Sequence, residues 1–433
     1  MHKTLEESSQ PTPSLFRDYV LPTYARFDLS LARGRGSRVW DEAGKEYLDF
    51  GAGIAVSSLG HAHPRIVDVL TRQASTLTHT SNLYYTRPQG LLAERIVSLV
   101  GHPGKVFFCN SGAEANEGLY KLARKFGHDG QPGGRYEVLT FEDSFHGRTL
   151  AGIAATGQEK VRKGFDPVTP GFIKARFNDL ASVEAALTPQ TAAILLEPIQ
   201  GEIGVMPARA EFLRGLRRLC DERDLLLFFD EIQCGFGRTG DWCAWRSLGC
   251  PEVMPDGVAW AKGMAAGFPM GAFWVRQRAV NLVDGNPSTL PELLGPGSHG
   301  TTFGGTPLGC AVSLETFDTI KDEDLLANSQ ERGRQLVALL NGTLLPGVAA
   351  VRGVGLMVAV ELDPAAVSAF PGFRSHPDRA PSLRLVDACQ EAGLLLVPSG
   401  VDRVRWLPPL NVSAEDIARA VTIFADTFRR LVA

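Results

Sequence analysis

Lys262 and Asp230 are the two side chains of this sequence best placed to do chemistry. Lys262 follows the apolar segment 257–261 and precedes a run rich in glycine and apolar residues. Burial among such residues would lower the pKa of its amine and make it a nucleophile able to form an imine. Asp230 follows the apolar run 225–229, so we expect its carboxylate at the edge of a sheet, where open α/β sheets bind ligands. The N–H of a charged aromatic ring would be a suitable partner for a carboxylate buried there.

A third segment, 110–118, could hold a phosphate. Asn110, Ser111 and Gly112 follow the apolar run 105–109 and precede a helical pattern of apolar residues. The start of a helix presents free backbone N–H groups and a favourable dipole to an anion. The sequence therefore predicts a phosphate-binding turn in which the Ser111 hydroxyl takes part.

Each of these segments also has a plain structural explanation. Ser111 could merely cap a helix while Gly112 makes the turn. Asp230 could form a loop salt bridge, and Lys262 could extend its charged end into water along an apolar stem. Taken together, however, the three segments match the phosphate, ring-nitrogen and imine contacts that pyridoxal 5′-phosphate requires.

Residues 235–240 match the pattern Gly-x-Gly-x-x-Gly and suggest a different class of enzyme, a nicotinamide oxidoreductase. A dinucleotide-binding fingerprint needs its glycines directly at a strand end, with a helix opening on them. Here residues 230–233 lie between the apolar run and the glycines, and segment 242–245 has no clear helical pattern. We therefore treat this class as the weaker alternative.

Composition excludes several other classes. The chain has 433 residues, 21% charged residues and a net charge of −4, without the basic patch of a nucleic-acid-binding protein. No charge-free apolar run reaches the roughly 18 residues of a membrane span, and the first residues lack the pattern of a signal or transit peptide. The seven cysteines are an odd number without metal-site spacing, which predicts reduced thiols and no bound metal. We therefore expect a cytoplasmic protein.

Short apolar runs alternate with helix-length segments between residues 60 and 325. Runs that are apolar on both faces are typical of a buried parallel sheet covered by helices, so an α/β fold is predicted. The last hundred residues predict a smaller α+β domain that ends in a helix starting at Ser413, with Asp416 completing a capping box. The predicted strands are 38–50 (a hairpin), 105–109, 136–141, 192–196, 225–229, 258–260, 272–275, 355–362, 393–397 and 403–407.

The predicted organisation has four parts. Residues 1–14 form a flexible lead-in, and 15–60 pack with the small domain. Residues 61–325 form the large domain, and 326–433 form the small one. Two stretches rich in proline, glycine and serine, 282–298 and 364–382, are predicted to be long loops.

From about Tyr24 to the C-terminus the sequence resembles the class III aminotransferases, which have the fold-type I architecture of enzymes dependent on pyridoxal phosphate. Within that class it is most similar to the acetylornithine enzymes. The segments that carry the resemblance are 47–50, 53–56, 60–64, 108–116, 144–149, 197–202, 230–233, 261–263 and 299–305.

The resemblance implies a role for each residue around the cofactor. Lys262 would form the imine and move a proton, and Asp230 would keep the pyridine nitrogen protonated. The other cofactor contacts implied are the phosphate ligands Ser111, Gly112 and Ala113, the ring-covering residues Phe145 and Ile232, the phenolic-oxygen partner Gln233, and Thr302 from the neighbouring subunit of a homodimer. Without the resemblance, Phe145 would be taken for a core residue, and Thr301 and Thr302 for part of an ordinary turn.

The resemblance also implies how substrates are recognised. Arg405 would bind the α-carboxylate of 2-oxoglutarate or glutamate, and Glu202 would pair with Arg405 while an amine is bound. Arg148 would bind a second carboxylate, and Thr301 would contact substrate across the dimer. Arg403 lies on the same strand face as Arg405, but the resemblance assigns it no contact with substrate. A buried network of ion pairs is the alternative explanation for these charged residues.

Two features bear on the choice of amine. Ornithine aminotransferases have tyrosine where this chain has Ile54, so free ornithine is disfavoured. Thr306 replaces a usual asparagine, and the segment 282–298 is longer than its counterparts. The resemblance thus implies transfer of the δ-amino group of N2-acetyl-L-ornithine to 2-oxoglutarate. The alternative amine donors are succinylornithine, 4-aminobutyrate and related ω-amines. The alternative reactions are those of an aminomutase or a decarboxylase. A non-catalytic binding protein is the alternative class.

Overall fold

The computed structural model describes residues 10–130 and 133–433. Its strands are β1 (Leu31–Arg35), β2 (Arg38–Asp41), β3 (Glu46–Asp49), β4 (Gly104–Cys109), β5 (Glu137–Phe141), β6 (Phe172–Ala175), β7 (Thr191–Leu196), β8 (Ile199–Gln200), β9 (Met206–Pro207), β10 (Leu226–Asp230), β11 (Gly257–Trp260), β12 (Gly271–Arg276), β13 (Ala279–Asn281), β14 (Pro287–Thr289), β15 (Val348–Val354), β16 (Met357–Leu362), β17 (Leu394–Leu395), β18 (Val397–Ser399) and β19 (Arg403–Trp406).

The helices alternate with these strands along the chain. They are α1 (Thr12–Tyr19), α2 (Ala52–Ala55), α3 (Pro64–Ala74), α4 (Arg87–Val100), α5 (Gly112–Asp129), α6 (Leu150–Ala155), α7 (Leu180–Ala186), α8 (Ala210–Arg223), α9 (Ala244–Ser247), α10 (Leu290–Leu293), α11 (Pro307–Asp322), α12 (Leu325–Gly342), α13 (Pro364–Val367), α14 (Pro371–Arg374), α15 (Pro381–Glu391) and α16 (Ala414–Val432). Short 3-10 turns occupy Glu159–Val161 and Lys262–Ala265.

A seven-stranded sheet in the order β4-β12-β11-β10-β7-β5-β6 forms the centre of the molecule. Six strands run parallel, and β12 is antiparallel to both of its neighbours. The predicted α/β fold is therefore confirmed, as are the six predicted central strands. The sequence analysis missed β6, an edge strand that is only partly buried and so lacks a continuous apolar pattern.

Strand β10 shows why the central runs are apolar throughout. Leu226 and Phe228 pack into the core on the side of α5, whereas Leu227 and Phe229 pack into the core on the opposite side. Because side chains alternate between the two faces of a strand, a sheet covered on both faces needs apolar residues at every position. The carboxyl ends of β4, β10 and β11 consequently meet at one edge of the sheet.

Two smaller four-stranded sheets lie outside the central one, and one of them joins the two ends of the chain. Strands β15-β16-β19-β18 form an antiparallel sheet near the C-terminus, and β1-β2-β3-β17 form the other. In the second sheet, Leu48 of β3 pairs with Leu394 of β17. An ion pair of 2.6 Å between Arg38 and Asp416 adds a further tie between the two chain ends. The domain boundaries at residues 60 and 325 stay predictions.

The two stretches predicted to be long loops contain regular structure, so that prediction was wrong. Segment 282–298 contains β14 and α10, and α10 begins with a complete capping box between Thr289 and Glu292. Segment 364–382 contains α13 and α14 and the start of α15, each with a proline in its first turn. Proline is favourable there because that turn has no internal partner for the missing N–H.

The two chain ends also differ in detail from prediction. Residues 1–9 of the predicted lead-in lie outside the described residues, and α1 begins at Thr12, inside it. At the C-terminus, Ser413 caps α16 as predicted, by accepting a hydrogen bond from the Asp416 N–H. The Asp416 carboxylate, however, accepts hydrogen bonds from Arg38, whose charge makes it a stronger partner than a backbone N–H.

Residues 235–240 pack against the C-terminal part of the chain. A Cβ atom added at Gly237 would lie 3.0 Å from a Leu410 methyl carbon, and one at Gly240 would lie 2.2 Å from the Gln330 side chain. The buried Arg238 donates hydrogen bonds to the carbonyls of Leu356 and Pro408. The glycines thus allow close packing, and the helix that follows, α9, has only four residues.

Three general properties bear on the class of protein. All seven cysteines are unpaired and buried, as predicted. Across residues 10–130 and 133–433, no helix combines the length and apolar character needed to cross a membrane. Within the same ranges, no cluster of histidine, cysteine and acidic side chains is arranged to hold a metal ion.

Candidate active site

One cavity lies at the sheet edge where β4, β10 and β11 end, and its volume is about 430 Å³. Such a volume is typical of small-molecule and cofactor sites. Its walls bring together residues from widely separated parts of the sequence. They are Val56, Asn110, Ser111, Gly112, Ala113, Phe145, His146, Gly147, Arg148, Glu197, Glu202, Asp230, Ile232, Gln233, Ala261, Lys262, Gly267, Phe268, Pro269 and Met270.

Asp230 lies at the base of this cavity and is 3% exposed. Its Oδ2 atom accepts a hydrogen bond of 2.8 Å from the Asn116 amide and lies 2.8 Å from Nδ1 of His146. Its Oδ1 atom accepts a hydrogen bond of 3.1 Å from the Ile232 N–H. Hydrogen bonds from several donors stabilise a buried carboxylate, so Asp230 can present a negative charge to a ligand.

Lys262 lies two residues beyond the end of β11 and begins a 3-10 turn. Its φ of 44° is in the left-handed region, a costly conformation for a residue with a side chain and one that concentrates at functional sites. Ser58 and Ser313 hold the turn by donating hydrogen bonds to the carbonyls of Gly263 and Met264. Burial lowers the pKa of the Lys262 amine, although the charge of Glu202 opposes this effect.

Ser111 and Gly112 form the turn from β4 into α5. Ser111 caps the helix, with its hydroxyl oxygen accepting a hydrogen bond of 3.3 Å from the Glu114 N–H. A Cβ atom added at Gly112 would lie 2.6 Å from the terminal carbon of Ile232, so only glycine allows this approach. Gly147 packs closely against Ala113: a Cβ atom added at Gly147 would lie 2.9 Å from the Cβ atom of Ala113. Ser111, Gly112 and Ala113 all line the cavity at the start of this helix.

Phe145 and Arg148 belong to the segment between β5 and α6. The Phe145 N–H donates a hydrogen bond of 2.8 Å to Oε1 of Glu197, which fixes the backbone of this segment. The Arg148 guanidinium lies 5.3 Å from the centre of the Phe145 ring, within the range of a cation–π contact. Arg148 is exposed, whereas Phe145 is partly buried. An aromatic ring and an exposed cation thus lie side by side in the cavity wall.

Burial raises the pKa of Glu197 to about 8, and the nearby charge of Asp230 acts in the same direction. The second carboxylate oxygen of Glu197, Oε2, accepts a hydrogen bond of 3.4 Å from the Gly201 N–H. Glu197 consequently links the Phe145 segment to the loop that carries Glu202.

Glu202, which lines the cavity, forms an ion pair with Arg405. The distance from Oε1 of Glu202 to Nη1 of Arg405 is 2.7 Å, and the Arg405 side chain is 2% exposed. The same Arg405 nitrogen donates a hydrogen bond of 3.3 Å to Oε1 of Gln233. Burial alone would raise the pKa of Glu202, but the charge and hydrogen bond of Arg405 lower it. Glu202 is therefore ionised at neutral pH.

Arg403 differs from Arg405 in its partners. It binds Glu361 and Asp402, whereas Arg405 binds Glu202, which lines the cavity. The assignment of the substrate carboxylate to Arg405, which rested on the resemblance, stays a prediction.

The cavity walls do not include four of the predicted site residues. They are Arg405, which pairs with the wall residue Glu202, and Ile54, Thr301 and Thr302. Thr302 is exposed, and Thr301 accepts a hydrogen bond of 3.3 Å from the Asn110 amide of its own chain. Ile54 is 41% exposed because α2 is a left-handed turn, with positive φ at all four residues. Val56 of the same segment lines the cavity, and the substrate contact of Ile54 stays a prediction.

The sequence analysis assigned no role to Asn116, His146 and Glu197. Asn116 and His146 contact Asp230 from 114 and 84 positions away along the chain. Glu197 reaches Phe145 across 52 positions. Spacing along a single sequence cannot reveal such contacts, since they depend on which strand ends become neighbours.

Comparison with known proteins places this geometry in a family. The family model described as aminotransferase class-III matches residues 20–428. The acetylornithine aminotransferase of Thermosynechococcus vestitus is 44% identical over 98% of this chain and 99% of its own length. A crystal structure of Toxoplasma gondii ornithine aminotransferase, with pyridoxal phosphate partially occupying its active site, has a TM-score of 0.85 and 33% identity, covering 96% of this chain and 94% of that one. The acetylornithine aminotransferase structure from Elizabethkingia anophelis has a TM-score of 0.80 and 31% identity, covering 96% and 98%. The chain belongs to the class III aminotransferases.

Proposed function

We propose that this aminotransferase moves the δ-amino group of N2-acetyl-L-ornithine to 2-oxoglutarate. The products are N-acetyl-L-glutamate 5-semialdehyde and L-glutamate, and the reaction belongs to arginine biosynthesis. The observation that carries the proposal is the ion pair between the buried Arg405 and Glu202, which lines the same cavity as Lys262 and Asp230. Likeness to acetylornithine enzymes over nearly the whole chain supports the choice of amine.

The cofactor of this class is pyridoxal phosphate, and the cavity fits it. Ser111, Gly112 and Ala113 line the cavity at the start of α5, where they would hold the phosphate. Asp230, with its three hydrogen-bonding partners, would hold the ring nitrogen in its protonated form. In addition, Phe145 and Ile232 would cover the two ring faces, Gln233 would bind the phenolic oxygen, and Thr302 would reach the phosphate from the neighbouring subunit.

When bound, pyridoxal phosphate withdraws electrons from the carbon that bears the transferred amino group. Lys262 would act as the general base and acid: its Nζ atom takes the proton from that carbon and delivers it to the new position. Its lowered pKa favours this role because the neutral amine is the form that accepts a proton. The apolar residues 267–270, which line the cavity, would limit the access of water.

The Glu202–Arg405 pair would let one cavity accept two kinds of substrate. While the amine donor is bound, Glu202 neutralises Arg405, so the cavity presents no free cation at that point. When 2-oxoglutarate enters, its α-carboxylate displaces Glu202 and takes the planar guanidinium of Arg405. Arg148, exposed at the cavity wall, would bind the second carboxylate, and Thr301 would contact substrate across the dimer.

A homodimer is the assembly that we propose. Four large apolar side chains are exposed on adjoining loops: Leu83 at 85%, Tyr84 at 68%, Tyr85 at 107% and Phe303 at 62%. Asn82 joins these loops by donating a hydrogen bond of 2.9 Å to the Gly304 carbonyl. A second copy of the chain would cover this surface and bring its Thr301 and Thr302 to the cavity. Seven unpaired cysteines suit a reducing compartment, so we place the enzyme in the cytoplasm.

The decisive experiment compares amine donors. The purified enzyme, loaded with pyridoxal phosphate, is assayed with 2-oxoglutarate and acetylornithine, succinylornithine, ornithine or 4-aminobutyrate. We expect the highest kcat/KM with acetylornithine. If another ω-amine had a clearly higher kcat/KM, it would replace acetylornithine as the proposed donor. The absence of transfer from all four donors would overturn the proposal.

A further inference from the structure

The loop that carries Glu202 is residues 201–205, which we call the gate loop. It connects the two strands of the β8–β9 hairpin, where Gln200 pairs with Met206. Three contacts from the C-terminal sheet hold the backbone of this loop, whereas the Glu202 carboxylate reaches out to Arg405.

Ser399 and Arg352 hold two carbonyl groups of the gate loop. The Ser399 hydroxyl donates a hydrogen bond of 2.6 Å to the Glu202 carbonyl, and the buried Ser399 ends β18. Nε of Arg352, on β15, donates a hydrogen bond of 2.9 Å to the Gly204 carbonyl. The carbonyls on both sides of residue 203 are therefore fixed to the same sheet.

Glu361 orients Arg352 from the neighbouring strand. Its Oε2 atom lies 2.5 Å from Nη2 of Arg352, and its Oε1 atom lies 2.9 Å from Nη2 of Arg403. Burial alone would raise the pKa of Glu361, but the hydrogen bonds from these two arginines lower it. The carboxylate is thus ionised and joins both guanidinium groups.

Arg403 supports the gate loop by packing rather than by hydrogen bonding. A Cβ atom added at Gly204 would lie 2.1 Å from Cδ of Arg403, and the φ of Gly204 is 84°. Val205 follows with a φ of 56° although it is fully buried, so the loop ends in a strained conformation that its surroundings enforce. The backbone of this loop is consequently the fixed part and the Glu202 side chain the movable part.

From these contacts we infer that Arg352, oriented by Glu361, is a positioning residue that fixes the gate loop, so that the gate opens by rotation of the Glu202 side chain alone. This inference rests on the proposed role of Glu202 as the gate. Arg352 touches the loop backbone but not the cavity, so it acts on substrates only through Glu202. Without the hydrogen bond from Arg352, the gate loop would be more mobile. Pairing of Glu202 with Arg405 would then have to order the loop as well, and this entropy cost would weaken the ion pair.

The test measures both substrates and an unreactive dicarboxylate, glutarate, which competes with Glu202 for Arg405. For Arg352→Gln we expect the KM for acetylornithine to rise about fivefold, since one hydrogen bond is lost. We expect glutarate to bind about threefold more tightly, because Arg405 becomes easier to free, and kcat to stay within about twofold. Arg352→Lys, which keeps the charge, should restore part of the difference.

A second variant shows whether Arg352 acts through Glu202. Glu202→Gln should give the same pattern more strongly, and adding Arg352→Gln to it should change neither KM nor the affinity for glutarate further. Arg38→Gln serves as the matched control, because it removes a partly buried arginine paired with Asp416, away from the gate loop. It should leave both substrate constants unchanged.

Two results would overturn the inference. In the first, Arg352→Gln weakens the binding of acetylornithine and of glutarate by the same factor and lowers the melting temperature, which would mean a merely structural role. The other is an additive effect of Arg352→Gln on the Glu202→Gln background. If the unsubstituted enzyme transferred no amino group from any donor, the proposed function would fail, but glutarate binding to the same variants would still decide the role of Arg352.

Discussion

Nδ1 of His146 lies 2.8 Å from Oδ2 of Asp230, and both side chains are almost completely buried. The Asn116 amide donates to the same oxygen, so two groups orient a carboxylate that the sequence placed only at a strand end. The orientation matters because a carboxylate can hold a ring N–H only when one oxygen is aimed at it.

We expect His146→Leu to weaken the function of Asp230 without removing its charge. Loss of a hydrogen bond to a charged group corresponds to roughly 1.5–3 kcal/mol, or about 10–150-fold in kcat or in the affinity for pyridoxal phosphate. Steady-state kinetics and cofactor titration of the apoenzyme measure the two quantities. His63→Leu is the control, because it removes an imidazole–carboxylate contact with Glu323 outside the cavity and should change neither value more than about twofold. A His146→Leu enzyme equal to the unsubstituted one would contradict the prediction.

Lys262→Ala should abolish transamination, with a loss of kcat of at least about 10³-fold, because it removes both the imine-forming amine and the proton carrier. Borohydride treatment of the unsubstituted enzyme should fix the cofactor to the peptide that contains Lys262. Lys174 is a matched buried lysine, since burial lowers its pKa to about 7, yet its ammonium already donates to Thr140 and to two backbone carbonyls. Finding the label on Lys174, or retained activity in Lys262→Ala, would refute the assignment.

Gly112→Ala tests the phosphate turn. The new Cβ atom would lie 2.6 Å from the Ile232 side chain, and overpacking of this kind costs about 1–3 kcal/mol. We expect the dissociation constant for pyridoxal phosphate to rise about 5–150-fold, with a smaller effect on kcat at saturating cofactor. Shortening the opposing side chain in Gly112→Ala/Ile232→Val should recover part of the affinity. Gly90→Ala, where the new atom meets nothing within 4 Å, is the control.

The sequence predicted those features of the fold that depend on local pattern. Strand β10 was predictable because five apolar residues precede Asp230, and the cap of α16 because Ser413 precedes an amphipathic helix. Lys262, Asp230 and Ser111 were predicted together for the same reason, since each lies at the end of an apolar run or within two residues of it. Their convergence on one cavity followed from the parallel order of these strands.

Other features depend on long-range geometry or on local capping, and the sequence did not reveal them. His146 and Glu197 act through contacts with distant segments, and Arg352 contacts Gly204 across 148 positions. The α10 helix was missed because its capping box, Thr289 to Glu292, lies within a stretch rich in glycine and proline. The left-handed turn at residues 52–55 was not predicted either, because three of its residues, Ala52, Ile54 and Ala55, are of types that rarely adopt this conformation.

The last prediction concerns stability against pH. Burial and the charge of Asp230 raise the pKa of Glu197 to about 8 in the folded protein, from an ordinary value of 4.5. Between these two values the folded state binds a proton that the unfolded state releases, so a rise in pH through this window favours unfolding. The contribution of Glu197 to stability is therefore fully present below about pH 4.5 and is lost progressively up to about pH 8.

Glu197→Gln removes this titration while keeping an oxygen that accepts the hydrogen bond from the Phe145 N–H. We expect the melting temperature of the apoenzyme variant, relative to that of the unsubstituted apoenzyme, to rise as pH increases from 5.5 to 8 and to level off above about pH 8. Glu94→Gln on the exposed face of α4 should show no such trend. A difference that is constant across this range would mean that Glu197 is ionised in the folded state and that Asp230 and Glu197 carry their charges side by side.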